Sequence, residues 1–462
     1  MTDERELLRR TAEIAADYLE SLGERPVFPT APVEELAAAL GGPLPEEPAD
    51  PLAVVEALAR DADPGVVATA GPRYFGYVTG GTLPATVAAD WLTAAWDQCA
   101  GLGVLGPSAA VVEEVVGDWL KELLGLPAGA SFALTTGCQM AHVTALAAAR
   151  QEVLARAGWD VRERGLAGSP PIAVLVGRRR HVTVDRALRL LGIGAAQLVV
   201  VPDDGRGRMD AAELRGALAG REGPTIVCAQ AGEVNTGAYD PLPEIAEAAR
   251  EAGAWLHVDG AFGLWAAASP RLRHLLAGAE RADSWASDAH KWLNVPYDCG
   301  LVFCAHPAAH HAAMTMHAAY FEGQGRWLRD AVDWTPESSR RARAFTVYAA
   351  LRSLGRRGVA ELVERCCDLA QRFAAGVSAL PGCELLNEVV INQVLFRFAD
   401  DETTSAVLAR VQGSGEAWMG GTEWDGRAAI RLSVSGWRTR EPDIDRTVAA
   451  FERALAAVSG SG

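Results

Sequence analysis

The feature that most constrains the fold is an alternation of short apolar runs with helical patterns between about residues 81 and 344. Gly, Pro or Asp bound the runs, as they usually bound buried strands: "PIAVLVG", "AQLVVVP", "PTIVCAQ", "AWLHVDG" and "GLVFCAH". Helical patterns such as "VDRALRLLG" and "PLPEIAEAAREAG" lie between them. Strands that alternate with helices predict an α/β fold with a mostly parallel central sheet and helices on both faces.

Different patterns flank this region on both sides. Residues 1–80 show two helical stretches joined by the Pro-rich link "GGPLPEEPADPL", and they would bury little surface alone. We therefore expect an N-terminal helical arm that packs on a partner. Residues 345–462 carry long helical patterns and then strand patterns such as "NQVLFRF", which predict a small C-terminal α+β domain. The predicted division is thus 1–80, 81–344 and 345–462.

Charge and cysteine usage exclude several classes of function. A net charge of −16 argues against nucleic acid and against anionic membranes as partners. The eight cysteines form no C-x-x-C pair, which indicates reduced thiols and no zinc-ligand spacing, so no metal is expected. The sequence shows neither a secretory leader nor an apolar run of membrane-spanning length. We expect a cytoplasmic protein that acts on a small molecule.

Lysine is rare in this chain. Of 43 basic residues only Lys121 and Lys291 are lysines. Lys121 lies in the amphipathic pattern "GDWLKELLG", where a solvated face is expected, whereas Lys291 lies in the apolar stretch "SWASDAHKWLNVPYDCG". A lysine can lose its proton and form a Schiff base, and an arginine cannot. Lys291 is therefore a candidate catalytic residue, with a lysine that only extends its charge to solvent as the alternative.

Three further features follow predicted strands, where ligands of open α/β sheets bind. Asp259 in "WLHVDGAFG" could stabilise a protonated ring nitrogen, or it could only cap a turn. In "LTTGCQM" a helix begins after Gly137, and its free N–H groups could bind phosphate. His181 in "GRRRHVTVD" could lie flat over an aromatic ligand, or it could be structural.

One motif is misleading. "GLGVLG" matches G-x-G-x-x-G, but a helical pattern precedes it and no acidic strand end follows at the required distance, so we reject an NAD site.

The order of phosphate turn, histidine, strand-end aspartate and lysine fits a phosphorylated aromatic aldehyde bound to a lysine, which is pyridoxal phosphate. A cofactor-binding protein without turnover and a nucleotide-binding dehydrogenase are the alternatives from other classes.

The chain resembles the pyridoxal-phosphate-dependent group II amino acid decarboxylases, which include aromatic amino acid and glutamate decarboxylases and have the aspartate-aminotransferase-like fold, fold type I. The pattern that carries the resemblance is Ser284-Trp285, Lys291-Trp292-Leu293, Tyr297 and Cys299. It departs at its end, where Ala305 replaces a usual basic residue. The similarity extends from "PRYFGYV" into the C-terminal domain.

The resemblance implies roles for individual residues. Lys291 would form the Schiff base with the cofactor, Asp259 would pair with the pyridine nitrogen, and His181 would stack on one ring face. The other ring face and the phosphate would be contacted by Ala261, Cys138, Gln139 and His290. Substrate contacts would come from Tyr74, Phe75, Trp96, Tyr320 and Arg341, with Arg431 as a further candidate for the carboxylate.

The implied activity is decarboxylation of an L-amino acid to the amine and CO2, in a homodimer with active sites at the interface. Two departures bear on this. Asp288 stands where many members have asparagine, and Ala331 aligns with a mobile-loop tyrosine that decarboxylating members use as a proton donor. An oxidative aldehyde synthase and a carbon–carbon lyase of the sphingosine-phosphate-lyase type therefore remain alternatives. The sequence does not indicate which amino acid is the substrate.

Overall fold

The computed structural model describes residues 3–29, 31–316 and 329–460, which separate into two compact units. One unit comprises Met1–Thr79, Arg372–Leu386 and Leu395–Gly462, and the other comprises Gly80–Gln371 and Asn387–Val394. The three-part division expected from the sequence remains a prediction. Within the described residues, none of the helices combines the length and apolar character that crossing a lipid bilayer requires.

Helices and strands follow one another in the order that the apolar patterns predict. The chain begins with α1 Glu4–Ser21, α2 Val33–Leu40, α3 Pro51–Ala62, α4 Pro84–Trp96 and α5 Pro107–Leu123. The alternating region follows: β1 Ser131–Thr135, α6 Cys138–Arg156, α7 Val161–Arg164, β2 Ala173–Gly177, α8 Val182–Leu190, β3 Leu198–Val201, α9 Ala211–Leu218, β4 Thr225–Gln230, α10 Leu242–Glu251, β5 Trp255–Asp259, β6 Ser284–Asp288, β7 Gly300–Cys304 and α11 Pro307–Met314. The last elements are α12 Ala344–Ser378, β8 Glu384–Leu385, β9 Gln393–Arg397, α13 Asp401–Gly413, β10 Gly420–Trp424, β11 Arg427–Ser433 and α14 Glu441–Ser459.

The larger unit is built on a sheet whose described strands have the order β1-β7-β6-β5-β4-β2-β3. The strands from β6 to β3 pair in parallel, and β7 is antiparallel to both of its neighbours. This confirms the predicted mostly parallel α/β fold. Strands β1, β4, β5, β6 and β7 are buried along their whole length, because helices cover the sheet. Most of them are mainly apolar, whereas β6, "SWASD", carries polar residues at both ends.

The smaller unit contains a second sheet of the order β10-β11-β9-β8. Four phenylalanine rings from its strands and helices pack edge to face at its centre: Phe373, Phe396, Phe398 and Phe451. Each is at most 1% exposed. Burying such a ring contributes about 1.5–3 kcal/mol, so this cluster is a main source of stability in the unit. The α+β character expected for the C-terminal part is confirmed.

One expectation about Lys121 is wrong. It does not lie on a solvated face, because only 8% of the residue is exposed. Its ammonium donates hydrogen bonds to the carbonyls of Ala128 and Ala130, at 2.9 and 3.2 Å. The amphipathic pattern failed here because the helix is followed at once by a loop that folds over the lysine and supplies these acceptors.

Candidate active site

The site lies where three neighbouring strands of the large sheet, β1, β7 and β6, have adjacent ends. Thr135 at the end of β1 pairs with Gly300, and Gly300 pairs in turn with Asp288 at the end of β6. A side chain at Gly300 is impossible, since a Cβ there would lie 2.3 Å from the carbonyl carbon of Gly137. The missing side chain lets the start of α6 approach the β6 carboxylate.

Asp288 is the centre of one half of the site. Its Oδ1 accepts a hydrogen bond of 2.6 Å from the backbone N–H of Cys138, the first residue of α6. Its Oδ2 lies 3.1 Å from Nζ of Lys291. Burial alone would lower the pKa of Lys291, but the Asp288 carboxylate, together with Cys138 and Asp259, outweighs burial and raises that pKa above its usual value. The pair therefore keeps the lysine protonated.

His290 completes this half. Its Nδ1 accepts from the backbone N–H of Cys299 at 3.1 Å, so the ring proton lies on Nε2, which faces Asp288 Oδ1 at 3.6 Å. Burial lowers the pKa of His290 despite the nearby carboxylate, so the ring is neutral at physiological pH. Its ring centre lies 4.4 Å from that of Tyr297. His290 thus presents an N–H donor beside the start of α6.

Asp259 is the centre of the other half. It ends β5, next to β6 in the sheet, and its Oδ1 accepts from the backbone N–H of Ala261 at 3.1 Å. Burial by itself raises the pKa of Asp259, but electrostatic attraction and a hydrogen bond from His142, together with attraction from His181 and Lys291, outweigh burial and hold that pKa well below its usual range. The structure thus brings the sequence-predicted His181 and Lys291 within electrostatic range of Asp259. Asp259 is an ionised, buried carboxylate.

A chain of hydrogen bonds supports Asp259 from behind. The indole N–H of Trp255 donates to Ser284 Oγ at 2.9 Å, and Ser284 Oγ lies 2.9 Å from His257 Nδ1. His257 Nε2 is 2.9 Å from His142 Nδ1, and His142 Nε2 is 3.5 Å from Asp259 Oδ2. An indole N–H can only donate, so Ser284 Oγ accepts from Trp255, and its hydroxyl can donate to His257. Each imidazole can then donate to the next group toward Asp259. Burial lowers the pKa of His257 to about 3, which keeps that ring neutral and fit for this role.

His181 precedes α8 and caps it. Its Nδ1 lies 2.7 Å from Thr183 Oγ1 and accepts from the Thr183 backbone N–H at 3.4 Å. The structural role that the sequence allowed is therefore present, and it fixes the orientation of the ring. Because its charge also acts on Asp259, a ligand role is compatible with the cap. Gln139 joins the two elements, since its side-chain amide donates to the Thr183 carbonyl at 3.1 Å.

The predicted substrate residues have varied surroundings. Tyr74 stacks on Trp418 with ring centres 5.1 Å apart, and Phe75 is 1% exposed in the same unit. In the other unit, Trp96 packs edge to face against Phe345 at 5.0 Å.

The remaining candidates are charged residues and residues of the predicted loop. Arg341 forms an ion pair of 2.7 Å with Asp90, so its charge is already partnered, and Arg431 lies in β11. Tyr320 lies outside the described residues. Ala331 begins the short 3-10 helix Ala331–Asp333 and is buried.

Sequence reasoning missed the residues behind Asp259. His257 lies two positions before Asp259 in β5, and alternate residues of a strand share a face. His142 lies four positions after Cys138 in α6, one turn further along the same face. These spacings were available in the sequence, but only the packing of α6 on β5 shows that the two histidines meet.

Comparisons with known proteins agree with this geometry. The chain matches the Pyridoxal-dependent decarboxylase conserved domain over residues 34–399. It is 27% identical over 457 residues to an aromatic-L-amino-acid decarboxylase of Bacillus atrophaeus, covering 95% of this chain and 93% of the relative. It is 27% identical over 464 residues to a 4-hydroxyphenylacetaldehyde synthase of Rhodiola rosea, covering 94% and 91%. The crystal structure of Oryza sativa TDC with PLP and tryptamine superposes with a TM-score of 0.92 at 25% identity and 98% coverage of both chains.

The chain therefore belongs to the pyridoxal-dependent decarboxylase family. It is a carboxy-lyase that depends on pyridoxal phosphate, as the fold type and the lysine pattern implied.

The side chains fit this cofactor at two of its groups. Lys291, whose side chain is 20% exposed, is an accessible amine for the aldehyde, and Asp259 is a buried anion for a protonated ring nitrogen. At the start of α6, Gly137 has a φ of +150°, and a Cβ there would lie 3.4 Å from His290 Cε1, so glycine leaves a space that a side chain would narrow.

Proposed function

We propose that the enzyme decarboxylates an aromatic L-amino acid to the corresponding amine and CO2, with Lys291 as the residue that forms the Schiff base. The observation that carries the proposal is a cluster of three charged groups: Lys291 pairs at 3.1 Å with Asp288, which ends β6, and it acts electrostatically with Asp259, which ends the neighbouring strand β5. The aromatic substrate class is supported by the Bacillus relative and by the Oryza structure, which was solved with PLP and tryptamine.

Bound pyridoxal phosphate supplies an aldehyde for the lysine and a ring that withdraws electrons from the substrate carbon. Asp259 would hold a proton on the ring nitrogen, because its surroundings keep it ionised. His142 lies 3.5 Å from Asp259 Oδ2 and would fix the orientation of that carboxylate. His181, held by its own hydrogen bonds to Thr183, would cover one face of the ring.

A second candidate function keeps the cofactor and changes the product to an aldehyde. The observation that favours it is Ala331, whose methyl group cannot donate the proton that the loop tyrosine of the decarboxylating members supplies. The similarity to the Rhodiola aldehyde synthase is as extensive as that to the Bacillus decarboxylase. A carbon–carbon lyase is the third outcome that the residues allow.

We further propose a homodimer, as the family resemblance implied. Support comes from α4, where three large apolar side chains are exposed: Trp91, Leu92 and Trp96, at 43%, 49% and 49%. Clusters of exposed aromatic side chains of this kind are typical of protein interfaces. Sedimentation analysis at micromolar concentration tests this proposal, and a monomer would contradict it.

The test of function is a screen of the cofactor-loaded enzyme against the twenty amino acids in separate reactions. Mass spectrometry follows amine and aldehyde, and CO2 and hydrogen peroxide are assayed in parallel. We expect amine and CO2 in equal amounts from an aromatic amino acid. Aldehyde with peroxide would establish the second candidate, and no product in any reaction would contradict both and favour the lyase. Lys291→Ala serves as the inactive control.

A further inference from the structure

A thiol, an imidazole and a carboxylate lie close together in the interior of the larger unit. Cys138 Sγ is 3.4 Å from His142 Nε2, and His142 Nε2 is 3.5 Å from Asp259 Oδ2. One donor atom from each of the three lies within 4.8 Å of the other two, and the described residues hold no second group of this kind. All three residues are buried, with His142 0% exposed and the other two 5% exposed.

The two measured distances are those of a tetrahedral zinc site. Zinc binds sulfur at about 2.3 Å and imidazole nitrogen or carboxylate oxygen at about 2.0–2.2 Å, so neighbouring ligand atoms at tetrahedral angles are roughly 3.3–3.7 Å apart. Cys138 and His142 share a face of α6, one turn apart, and Asp259 ends β5. No metal was expected from the sequence, which lacks paired cysteines, because the third donor comes from a strand far away in the chain.

The chemistry of these donors suits a soft divalent cation. The thiol releases its proton to solvent when its sulfur binds such a cation. One thiolate and one carboxylate then balance two positive charges, and the neutral imidazole adds a third donor without adding charge. Sulfur and nitrogen ligands favour Zn²⁺, whereas Mg²⁺ and Ca²⁺ prefer oxygen.

The hydrogen bonds behind His142 also suit a metal ligand. A metal-bound histidine offers a lone pair on one ring nitrogen and donates the N–H of the other. His142 does both when its Nδ1–H donates to His257 Nε2, 2.9 Å away, which leaves its own Nε2 free for the cation. His257 Nδ1–H can then donate to Ser284 Oγ at 2.9 Å, since a hydroxyl oxygen can accept this bond as well as the one from Trp255. The chain that supports Asp259 thus also supports a metal-bound His142, with its ring protons shifted in the opposite direction.

We propose that Cys138, His142 and Asp259 bind Zn²⁺ in the apoenzyme, and that zinc and pyridoxal phosphate exclude each other. The inference rests on the proposed pairing of Asp259 with the ring nitrogen. Asp259 Oδ1 accepts the Ala261 N–H, and a cation on Oδ2 neutralises the carboxylate. A neutralised Asp259 no longer holds a proton on the ring nitrogen, so zinc weakens cofactor binding, and the cofactor weakens zinc binding by the same factor.

Cobalt is the probe for the site, because Co²⁺ occupies zinc sites and is coloured. A thiolate ligand gives a sulfur-to-cobalt charge-transfer band, and tetrahedral coordination gives visible d–d bands at longer wavelengths than the cofactor absorbs. Apoenzyme and holoenzyme are each titrated with Co²⁺. We expect both kinds of band in the apoenzyme and no d–d bands in the holoenzyme at equimolar cobalt. Equal cobalt affinities of the two forms, or an apoenzyme spectrum without the sulfur band, would overturn the inference.

Two serine variants make the result specific to one thiol. Cys138→Ser should lose the charge-transfer band and bind cobalt at least about tenfold more weakly, since even changes behind a metal ligand cost about 10–100-fold. Cys367→Ser removes another buried thiol, in α12, and should behave as wild type. Loss of the band in both variants, or in neither, would contradict the assignment.

The exclusion is measured as the dissociation constant for pyridoxal phosphate, by quenching of the tryptophan fluorescence of the apoenzyme. Zinc at the concentration that saturates wild type should raise this constant at least about tenfold in wild type and in Cys367→Ser, because a charged partner of the ring is lost. It should leave the constant of Cys138→Ser unchanged. Complexes of zinc with free cofactor are common to the three proteins and cancel in the comparison. A zinc effect of the same size in all three would overturn the proposed site.

A second measurement keeps the inference testable if Cys138→Ser does not fold. X-ray absorption at the zinc edge of wild-type apoenzyme should show one sulfur among the ligands, with nitrogen or oxygen at the other positions. Coordination without sulfur would overturn the site. Metal binding does not depend on turnover, so its failure would leave the outcome of the amino acid screen unaffected.

Discussion

The two lysines of the chain have the same partner in sequence and opposite surroundings in space. Lys121 pairs with Asp118 at 3.0 Å and Lys291 pairs with Asp288 at 3.1 Å, each with an aspartate three residues earlier. The Asp118 side chain is 72% exposed, whereas that of Asp288 is 3% exposed. Lys121 is held by two loop carbonyls, and Lys291 by a carboxylate that also binds the start of a helix.

This difference teaches what makes a lysine chemically useful. A solvated partner is screened by water and is worth little, so Lys121 acts through its hydrogen bonds to the chain. A buried partner is not screened by water, so the Asp288 carboxylate helps to raise the pKa of the Lys291 amine. The same local spacing therefore gives a structural lysine in one region and a reactive one in the other.

The largest difference between the two lysines is expected when each is replaced by alanine. Lys291→Ala should abolish the cofactor absorption band near the visible range and lower activity by at least about 10⁴-fold, since the nucleophilic amine is lost. Lys121→Ala should retain the band and most of the activity, although it removes the ammonium donor from the carbonyls of Ala128 and Ala130. Borohydride reduction followed by peptide mapping then locates the labelled lysine. A label on the peptide that contains Lys121 would refute the assignment.

Asp259, the second carboxylate of the site, sharpens the comparison because it is proposed to pair with the cofactor and not with the lysine. Asp259→Asn should lower kcat by about 10²–10³-fold, the usual cost of removing one preorganised electrostatic partner of the reacting group. It should also weaken cofactor binding, because the anion proposed to pair with the ring nitrogen is lost. Steady-state kinetics and cofactor titration measure both effects. Unchanged kcat together with unchanged cofactor affinity would contradict the proposed role of Asp259.

The hydrogen-bond chain behind Asp259 predicts a smaller effect that depends on pH. Burial raises the pKa of Asp259 and His142 opposes that rise, so His142→Leu should raise the pKa. Since the ionised form is the active one, activity is lost as pH falls through this pKa, and the acid limb of the profile of kcat/KM should move to higher pH. His142→Gln, whose amide can still donate to the carboxylate, should restore part of the original profile. Identical acid limbs in all three proteins would exclude a role for His142.

The smallest effect is expected at the ion pair between Asp118 and Lys121, where the Asp118 side chain is exposed. Asp118→Asn should change the free energy of unfolding by less than about 0.5 kcal/mol, as is typical for an exposed ion pair screened by water and salt. Urea titration at low and high salt measures it. A loss of more than about 1 kcal/mol would mean that the two aspartate–lysine pairs are energetically more alike than their exposure indicates.

Local patterns in the sequence predicted much of the fold because buried strands and the helices between them differ in apolar period. The alternation around "AWLHVDG" predicted a mostly parallel sheet, and strand ends marked Asp259 and His181 as candidates for the site. The same kind of pattern misplaced Lys121, because a periodic helix face does not show that a later loop covers it. The partners of Asp288 and Asp259 were also absent from the prediction, since they come from α6, far away in sequence.

The sequence by itself determined the fold class, the family and the lysine, because these depend on composition and on spacings within a few turns of chain. Only the tertiary structure decided what each charged group faces. The Asp288 carboxylate meets the start of α6 because Gly300 lets the two backbones approach, and Asp259 meets His142 because α6 packs on β5. Proton affinity depends on burial and on charges a few ångströms away, and the folded chain brings those charges together from distant positions.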